Sequence, residues 1–316
     1  MCKNFKIRVW LISVFALITT SGCALTYTVK EPAPTGLSYL QASEATSSLT
    51  INDQRKEEDK VFSVGRIKVN LKNMDNEILF LRQNLIKELN SRGIKTLYSE
   101  SGNADIALNV KKFRIRNHRS TGFSPFQTET ILSADAIGKE QSIKLAFYFR
   151  IGKVPVWSMK EVEDPCYNMP LSLLIKELAS KINHFYYGYR SSDEEVEKLF
   201  SEITNNYEED VTFLKVLELG YTNNTAAIPK LVQLSNHDDA YMRVAALCSL
   251  GMLGAVDEFE FLKECYFSRK KDEKLMALKS IGDLNTPEAR AFLETTKNSA
   301  DYEERIKEVI DLYLAE

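Results

Sequence analysis

Histidine occurs only three times and cysteine five times in this chain, and neither recurs at the short spacings of a zinc ribbon or a disulfide framework. His-Glu-x-x-His, Cys-x-x-Cys, Walker A and Gly-x-Ser-x-Gly are all absent. One-sided charge is missing too. The 41 Lys and Arg face 44 Asp and Glu, and a net charge of −3 offers no basic excess to neutralise the phosphates of a nucleic acid. The most prominent apolar run, Val9–Ile18, would span about 15 Å as a helix, half of a bilayer core, so it is no transmembrane anchor. What remains is an ordinary globular composition, 44% hydrophobic and 27% charged, with length enough for two domains.

Residues 1–22 have the build of an export signal. Lys3, Lys6 and Arg8 precede the apolar run, and Thr19, Thr20, Ser21 and Gly22 form a small-residue stretch before Cys23. Ser21-Gly22-Cys23 resembles the end of a bacterial lipoprotein lipobox, with Thr20 where the pattern prefers Leu. The resemblance implies that the Cys23 thiol receives a diacylglycerol and that its amino group, freed by cleavage, is usually acylated as well. Two or three chains give stable anchoring in a bilayer where one is marginal. Ala24, standing where enterobacterial lipoproteins retained at the inner membrane carry Asp, implies transfer to the outer membrane, facing the periplasm. Removal of the signal takes away three bases and no acid, so −3 becomes −6, which disfavours a second, electrostatic anchor on anionic lipid.

From Cys23 to Ser48 the chain is rich in Thr, Ser, Pro and Ala, with Pro32 and Pro34 holding it extended, and it reads as a tether. Residues 49–190 then predict an α+β domain. Ile67, Val69 and Leu71 alternate as a strand, and Ile78, Leu81, Leu85 and Leu89 mark a helix that Gly93 ends. Strands follow at Ile106–Val110, at Phe113–Ile115, from Ile131 to the Gly138 turn and over Ile143–Ile151, with Val154–Trp157 as a possible continuation. A second helix carries Leu171, Leu174, Ile175, Leu178, Ile182 and Phe185. The order predicts an antiparallel sheet with two helices on one face. Leu49–Arg55 (LTINDQR) and Ala104–Val110 (ADIALNV) resemble the strands of YajG-type lipoproteins and of the auxiliary lipoproteins of envelope ABC transporters. That resemblance implies a role in binding or assembly and supplies no catalytic residues.

Two loops draw attention. Ser120–Phe126 sets Phe123 and Phe126 in a Gly/Pro turn, where they are candidate protein-contact anchors. Asp164–Pro170 holds Cys166, whose neighbours in sequence include no His or Cys to lower its pKa, so it reads as an inert thiol.

Residues 192–316 repeat with a period of 31. Leu219-Gly220, Leu250-Gly251 and Ile281-Gly282 recur, Ala246-Leu247 returns as Ala277-Leu278, and Arg243 aligns with Lys274 and Arg305. Each unit predicts two short helices, and about four units suffice to bury a shared core. Asp239–Gly251 (DAYMRVAALCSLG) resembles the HEAT-like repeat pattern Asp-x-x-Val-Arg-x-x-Ala-x-x-Ala-Leu-Gly, with Met242 for Val and Ser249 for the last Ala, and Ile281–Ala289 resembles its linker. The resemblance implies an all-α solenoid used for protein binding. It gives Asp239, Arg243, Gly251 and Gly282 structural roles between units. Some HEAT-like proteins are hydroxylases with metal-binding His-Glu pairs, but His118, His184 and His237 are followed by Arg, Phe and Asp. No metal, cofactor or reaction is expected. The sequence predicts a lipid-anchored, non-catalytic adaptor that binds another envelope protein and no nucleic acid. The alternatives are an accessory subunit of a transport or secretion complex, or an enzyme acting on envelope material.

Overall fold

The computed structural model describes residues 24–40, 46–100, 103–209, 211–299 and 303–315, so Cys23 lies outside the described residues. Strands β1 (Leu25–Thr28), β2 (Ser47–Asp53), β3 (Ser63–Gly65) and β4 (Val69–Lys72) precede helix α1 (Glu77–Ser91). Strands β5 (Thr96–Tyr98), β6 (Ile106–His118), β7 (Phe126–Gly138) and β8 (Ser142–Lys153) lead to helix α2 (Met169–Tyr186). The main sheet runs β5-β2-β6-β7-β8, with β3 beside the far half of β6, while β1 and β4 form a separate parallel pair. Only β6, β7 and β8, joined by short connections, are antiparallel; β2 lies parallel to β5 and β6, and β3 parallel to β6. The antiparallel sheet predicted from element order is present over β6–β8, and β2, β3 and β5 extend it as a mixed sheet. The chain crosses back through α1 between β2 and β5, and such a crossover returns a strand parallel.

The predicted breaks in alternation have local causes. Ile106, Leu108 and Val110 face one core and so do Phe113 and Ile115, because a bulge between Val110 and Lys112 shifts the phase within a single strand. Helix α1 is capped by Asn76, whose side chain accepts the Leu79 N–H at 2.8 Å, and it ends at Gly93 with φ of +89°, a left-handed turn that glycine adopts without strain.

Helices α3 (Asp193–Asn205), α5 (Ile228–Leu234), α7 (Phe259–Ser268) and α9 (Pro287–Lys297) alternate with α4 (Phe213–Tyr221), α6 (Ala240–Met252), α8 (Lys271–Asp283) and α10 (Glu304–Leu314). The second set stacks in an inner row, α4 on α6 on α8 on α10. The 31-residue period is the spacing of that row. A Cβ at Gly251 would fall 2.7 Å from Ser280 Cα, and one at Gly282 would fall 2.6 Å from the Tyr313 ring, so glycine permits the close approach of successive helices.

Helices cover both faces of the sheet. Thr130, Leu132 and Ala134 of β7 face the α2 side, whereas Glu129, Ile131 and Ser133 face α8 and α10, and Ser133 Oγ donates to the Leu312 carbonyl at 2.7 Å. One continuous core thus joins the regions 49–190 and 192–316. The tether predicted over 23–48 is corrected as well: Tyr27, Val29, Leu37 and Tyr39 are buried, and β1 pairs with β4. Arg92, at the end of α1, donates to Glu88 at 2.7 Å and to the Tyr39 hydroxyl at 3.0 Å, and that hydroxyl reaches the Tyr221 carbonyl at 2.9 Å. Four apolar anchors and this chain of hydrogen bonds outweigh the extended bias of Pro32 and Pro34.

A buried cluster of charge holds the free edge of β8. Lys181 of α2 donates to the Ala146 carbonyl and to Asp283 of α8, each at 2.6 Å, and stands 2.6 Å from Glu177. Lys279 of α8 contacts Glu177 and the Cys248 sulfur, and lies 2.9 Å from Asp283 Oδ2 outside hydrogen-bond alignment. Tyr313 of α10 donates to Asp283 at 2.6 Å. Two ammonium groups balance two carboxylates, with no side chain of the four more than 4% exposed. Burial opposes ionisation of Asp283, but Lys181 and Lys279 override it and hold the carboxyl below its ordinary 3.8. Burial likewise opposes the charge on Lys279, yet Asp283, Cys248 and Glu177 hold its ammonium well above 10.5.

Lys279→Met is expected to cost about 3–5 kcal/mol in urea unfolding followed by circular dichroism, because two carboxylates then share one buried ammonium. Adding Asp283→Asn is expected to recover part of the loss by restoring neutrality. The pH dependence follows from the signs: a depressed Asp283 stabilises above 3.8 and loses that contribution as pH falls below it. A raised Lys279 stabilises below 10.5 and loses its contribution above that value.

Candidate functional site

The β6–β7 connection and the segment after β8 adjoin at one end of the sheet, because Phe126 pairs with Lys153. Residues 119–125 brace themselves. Ser124 Oγ accepts the N–H groups of Ser120 and Thr121 at 3.1 and 2.9 Å and donates to the Thr121 carbonyl at 2.9 Å. Arg119 donates to the carbonyls of Ser124 and Gly122, tying the two ends of the turn together. Within this braced turn Phe123 projects into solvent at 96% exposure.

The two loop aromatics predicted as contact anchors part company. Phe126 is fully buried, a correction with a plain cause: it is the first residue of β7 and packs 6.2 Å from the Tyr167 ring. Strand β8 ends at Lys153, so Val154–Trp157 does not extend the sheet. It forms a second braced loop in which the Glu161 carboxylate accepts the N–H groups of Val156, Trp157 and Ser158 at 2.9, 2.7 and 2.7 Å. These bonds, that from Val156 foremost, hold the Glu161 carboxyl below the usual carboxylate range. Trp157 is 91% exposed, beside exposed Val154 and Val156. Sequence reasoning missed Trp157 as a site residue. The signal was there in Pro155, which disfavours a strand, and in Ser158-x-x-Glu161, a capping box just after the apolar residues.

Arg66, Lys68 and Lys153 are exposed on the rim of this end, while Lys160 is paired with Glu163 at 2.8 Å. A cavity of about 400 Å³ opens alongside, lined by Arg66, Arg116, His118, Glu129, Glu304 and Arg305. Three of its charges are mutually engaged: Arg305 lies 3.1 Å from Glu129, and Arg116 bonds to Glu129 and also to Glu308 of α10. The first described residues lie here too. The Leu25 N–H donates to the Lys68 carbonyl at 3.0 Å, Ile67 is held by Asn117 near the end of β6, and the Tyr27 hydroxyl donates to the Met159 carbonyl at 3.0 Å.

The repeat residues sit elsewhere. Asp239 caps α6, accepting the Tyr241 N–H at 2.7 Å, and Arg243 pairs with Glu273 of the next unit at 2.8 Å. Gly251 and Gly282 line the helix-to-helix approaches of the inner row. Cys166, Cys248 and Cys265 are free and buried; burial pushes the first two thiols up to about 12 and raises the third, which leaves each protonated and weakly nucleophilic at neutral pH. Among the described residues no three His, Cys, Asp or Glu side chains gather to hold a metal ion, and no helix is long and apolar enough to cross a membrane.

No family model matches the chain, and no curated protein is a significant match. Among solved structures it is similar to a Xanthomonas campestris protein of the DUF330 family, with 12% identity, 49% of this chain and 93% of that one covered, and a TM-score of 0.35. It is also similar to a minor lipoprotein of Acinetobacter baumannii, at 12% identity, 44% and 93% coverage and a TM-score of 0.30. An uncharacterized protein matches at 12% identity, 50% and 99% coverage and a TM-score of 0.31.

Phe126→Ala is expected to cost about 3–5 kcal/mol in urea unfolding, the loss typical of a buried phenylalanine. Phe123→Ala is expected to leave stability within about 0.5 kcal/mol of wild type, because nothing packs against the ring.

Proposed function

We propose that this chain is a bacterial envelope lipoprotein, acylated at Cys23, that works without catalysis as an adaptor, docking a second envelope protein on a HEAT-like helix stack. In this reading it stands on the periplasmic side of the outer membrane, and the sheet serves to hold the stack close to the bilayer. The observation that carries the docking role is a row of apolar side chains along one edge of the stack. The loops between paired helices recur there, bridged from unit to unit by Tyr207 to Asp239 at 3.0 Å and Arg269 to Asn236 at 2.6 Å. Val211 and Phe267 are exposed on this edge, Phe267 at 71%, and Tyr207 and Tyr241 are partly so. Aromatic residues in an exposed row suit a protein interface better than solvent.

The test is envelope fractionation with acyl-chain labelling of wild type and Cys23→Ala, followed by photo-crosslinking from position 267. Label and outer-membrane location are both expected to vanish in Cys23→Ala, and crosslinking of the wild type is expected to give one discrete adduct. An unlabelled wild type, with the variant still in the membrane fraction, overturns the lipoprotein reading. A labelled wild type with no adduct from position 267 overturns the docking edge.

A further inference from the structure

We propose that the sheet end carrying Phe123 and Trp157 inserts into the interfacial layer of the bilayer that holds the acylated Cys23, a second membrane contact that rests on the lipoprotein reading above. Phe123, Val154, Val156 and Trp157 are exposed on two adjoining loops that end the sheet. Each loop is stiffened from within, by Ser124 and Arg119 in one case and by Glu161 in the other, so these side chains are presented to solvent without a large ordering cost. Tryptophan favours the headgroup boundary, phenylalanine joins it on the apolar face of segments that lie in that layer, and Arg66, Lys68 and Lys153 on the rim complement anionic headgroups.

Position in the chain selects a bilayer as the occupant. Cys23 precedes Leu25 by two residues, which span at most about 7 Å. Leu25 is bonded to Lys68 at this same end, and Tyr27 reaches Met159, two residues from Trp157. Acyl chains on Cys23 would therefore enter the membrane beside these loops, and with β1 folded into the body no spacer exists to hold the tip away. Lipid chains and loops then form one footing that fixes how the helix stack is oriented above the membrane.

The processed chain has a built-in reporter. The sequence has two tryptophans, and Trp10 lies in the signal segment, so after cleavage Trp157 is the single tryptophan, read apart from the 14 tyrosines by excitation at the red edge where tyrosine does not absorb. The experiment uses the full mature chain with Cys23→Ala and vesicles of phosphatidylethanolamine and phosphatidylglycerol, with and without brominated lipid. Trp157 emission is expected to shift to the blue and to be quenched by the brominated chains. Phe123→Ser with Val156→Ser is expected to weaken partitioning by about tenfold while the circular dichroism spectrum is unchanged. The acylated wild type, reconstituted in the same vesicles, is expected to show the same quenching. If the acylated protein is anchored but Trp157 stays aqueous and unquenched, the proposal is overturned while the lipoprotein reading survives. If Cys23 takes no label in cells but the mature chain still binds vesicles through Trp157, the lipoprotein reading fails and the membrane-contacting tip stands. Trp157 shielded only in crosslinked protein complexes, and never by vesicles, overturns the proposal in favour of a protein contact.

Discussion

Two lysines and two carboxylates share a buried space at the free edge of β8, and the arrangement of the whole molecule depends on their balance. Glu177 and Lys181 come from the helix on one face of the sheet; Lys279 and Asp283 come from the helix stack on the other. None of the four can be buried alone, because an isolated charge in the interior costs far more than any single contact returns. The sheet region and the stack are therefore committed to one relative position. The same cluster also supplies a donor to the Ala146 carbonyl on an edge strand that would otherwise invite pairing with another chain.

A second layer of ion pairs extends this bond across the sheet. Arg114 and Arg116 of β6 meet Glu308 of α10, and Arg150 of β8 meets Asp272 of α8 at 2.7 Å. The partners converge from different elements on a face that also carries Ile131 and the Tyr148 ring, so packing and charge act together. At the opposite corner the N-terminal segment threads through Arg92, Glu88 and Tyr39 to the first helix of the inner row. The result is a single packed block with its first described residues and its two exposed aromatic loops at one end. For a protein held at a surface, such packing turns a point of attachment into an orientation.

Much of this was legible in the sequence. The 31-residue period located the inner row, and Gly251 and Gly282 marked where its helices touch, because close packing of backbones leaves a strict demand for small residues at fixed intervals. The helix over Glu77–Ser91 and the strands from Ile106 onward were readable from apolar spacing and from Gly93. Lys279 and Lys181 were not readable as interior residues. Each occupies a helix position that, for a lysine, normally points to water, and besides the carboxylate one turn away on its own helix its burial draws on a carboxylate of the other helix, 102 residues distant in Lys181–Asp283. Phe123 and Phe126 look alike in sequence, yet one begins a strand on its inward side and the other caps a turn.

By itself the sequence determined the local elements and the 31-residue period, since these follow from periodicity and from residue types a few positions apart. Tertiary structure alone decided strand direction, the docking of the Thr- and Pro-rich segment, and the covering of the polar sheet face by α8 and α10. The alternation of Lys112, Arg114 and Arg116 on β6 describes a solvated surface equally well, and what distinguishes the two cases is a carboxylate on α10, Glu308, delivered by the fold. Charge pairing over such a separation in sequence leaves no periodic trace in the chain, because Coulomb attraction depends on where side chains meet in space and not on their order along the backbone.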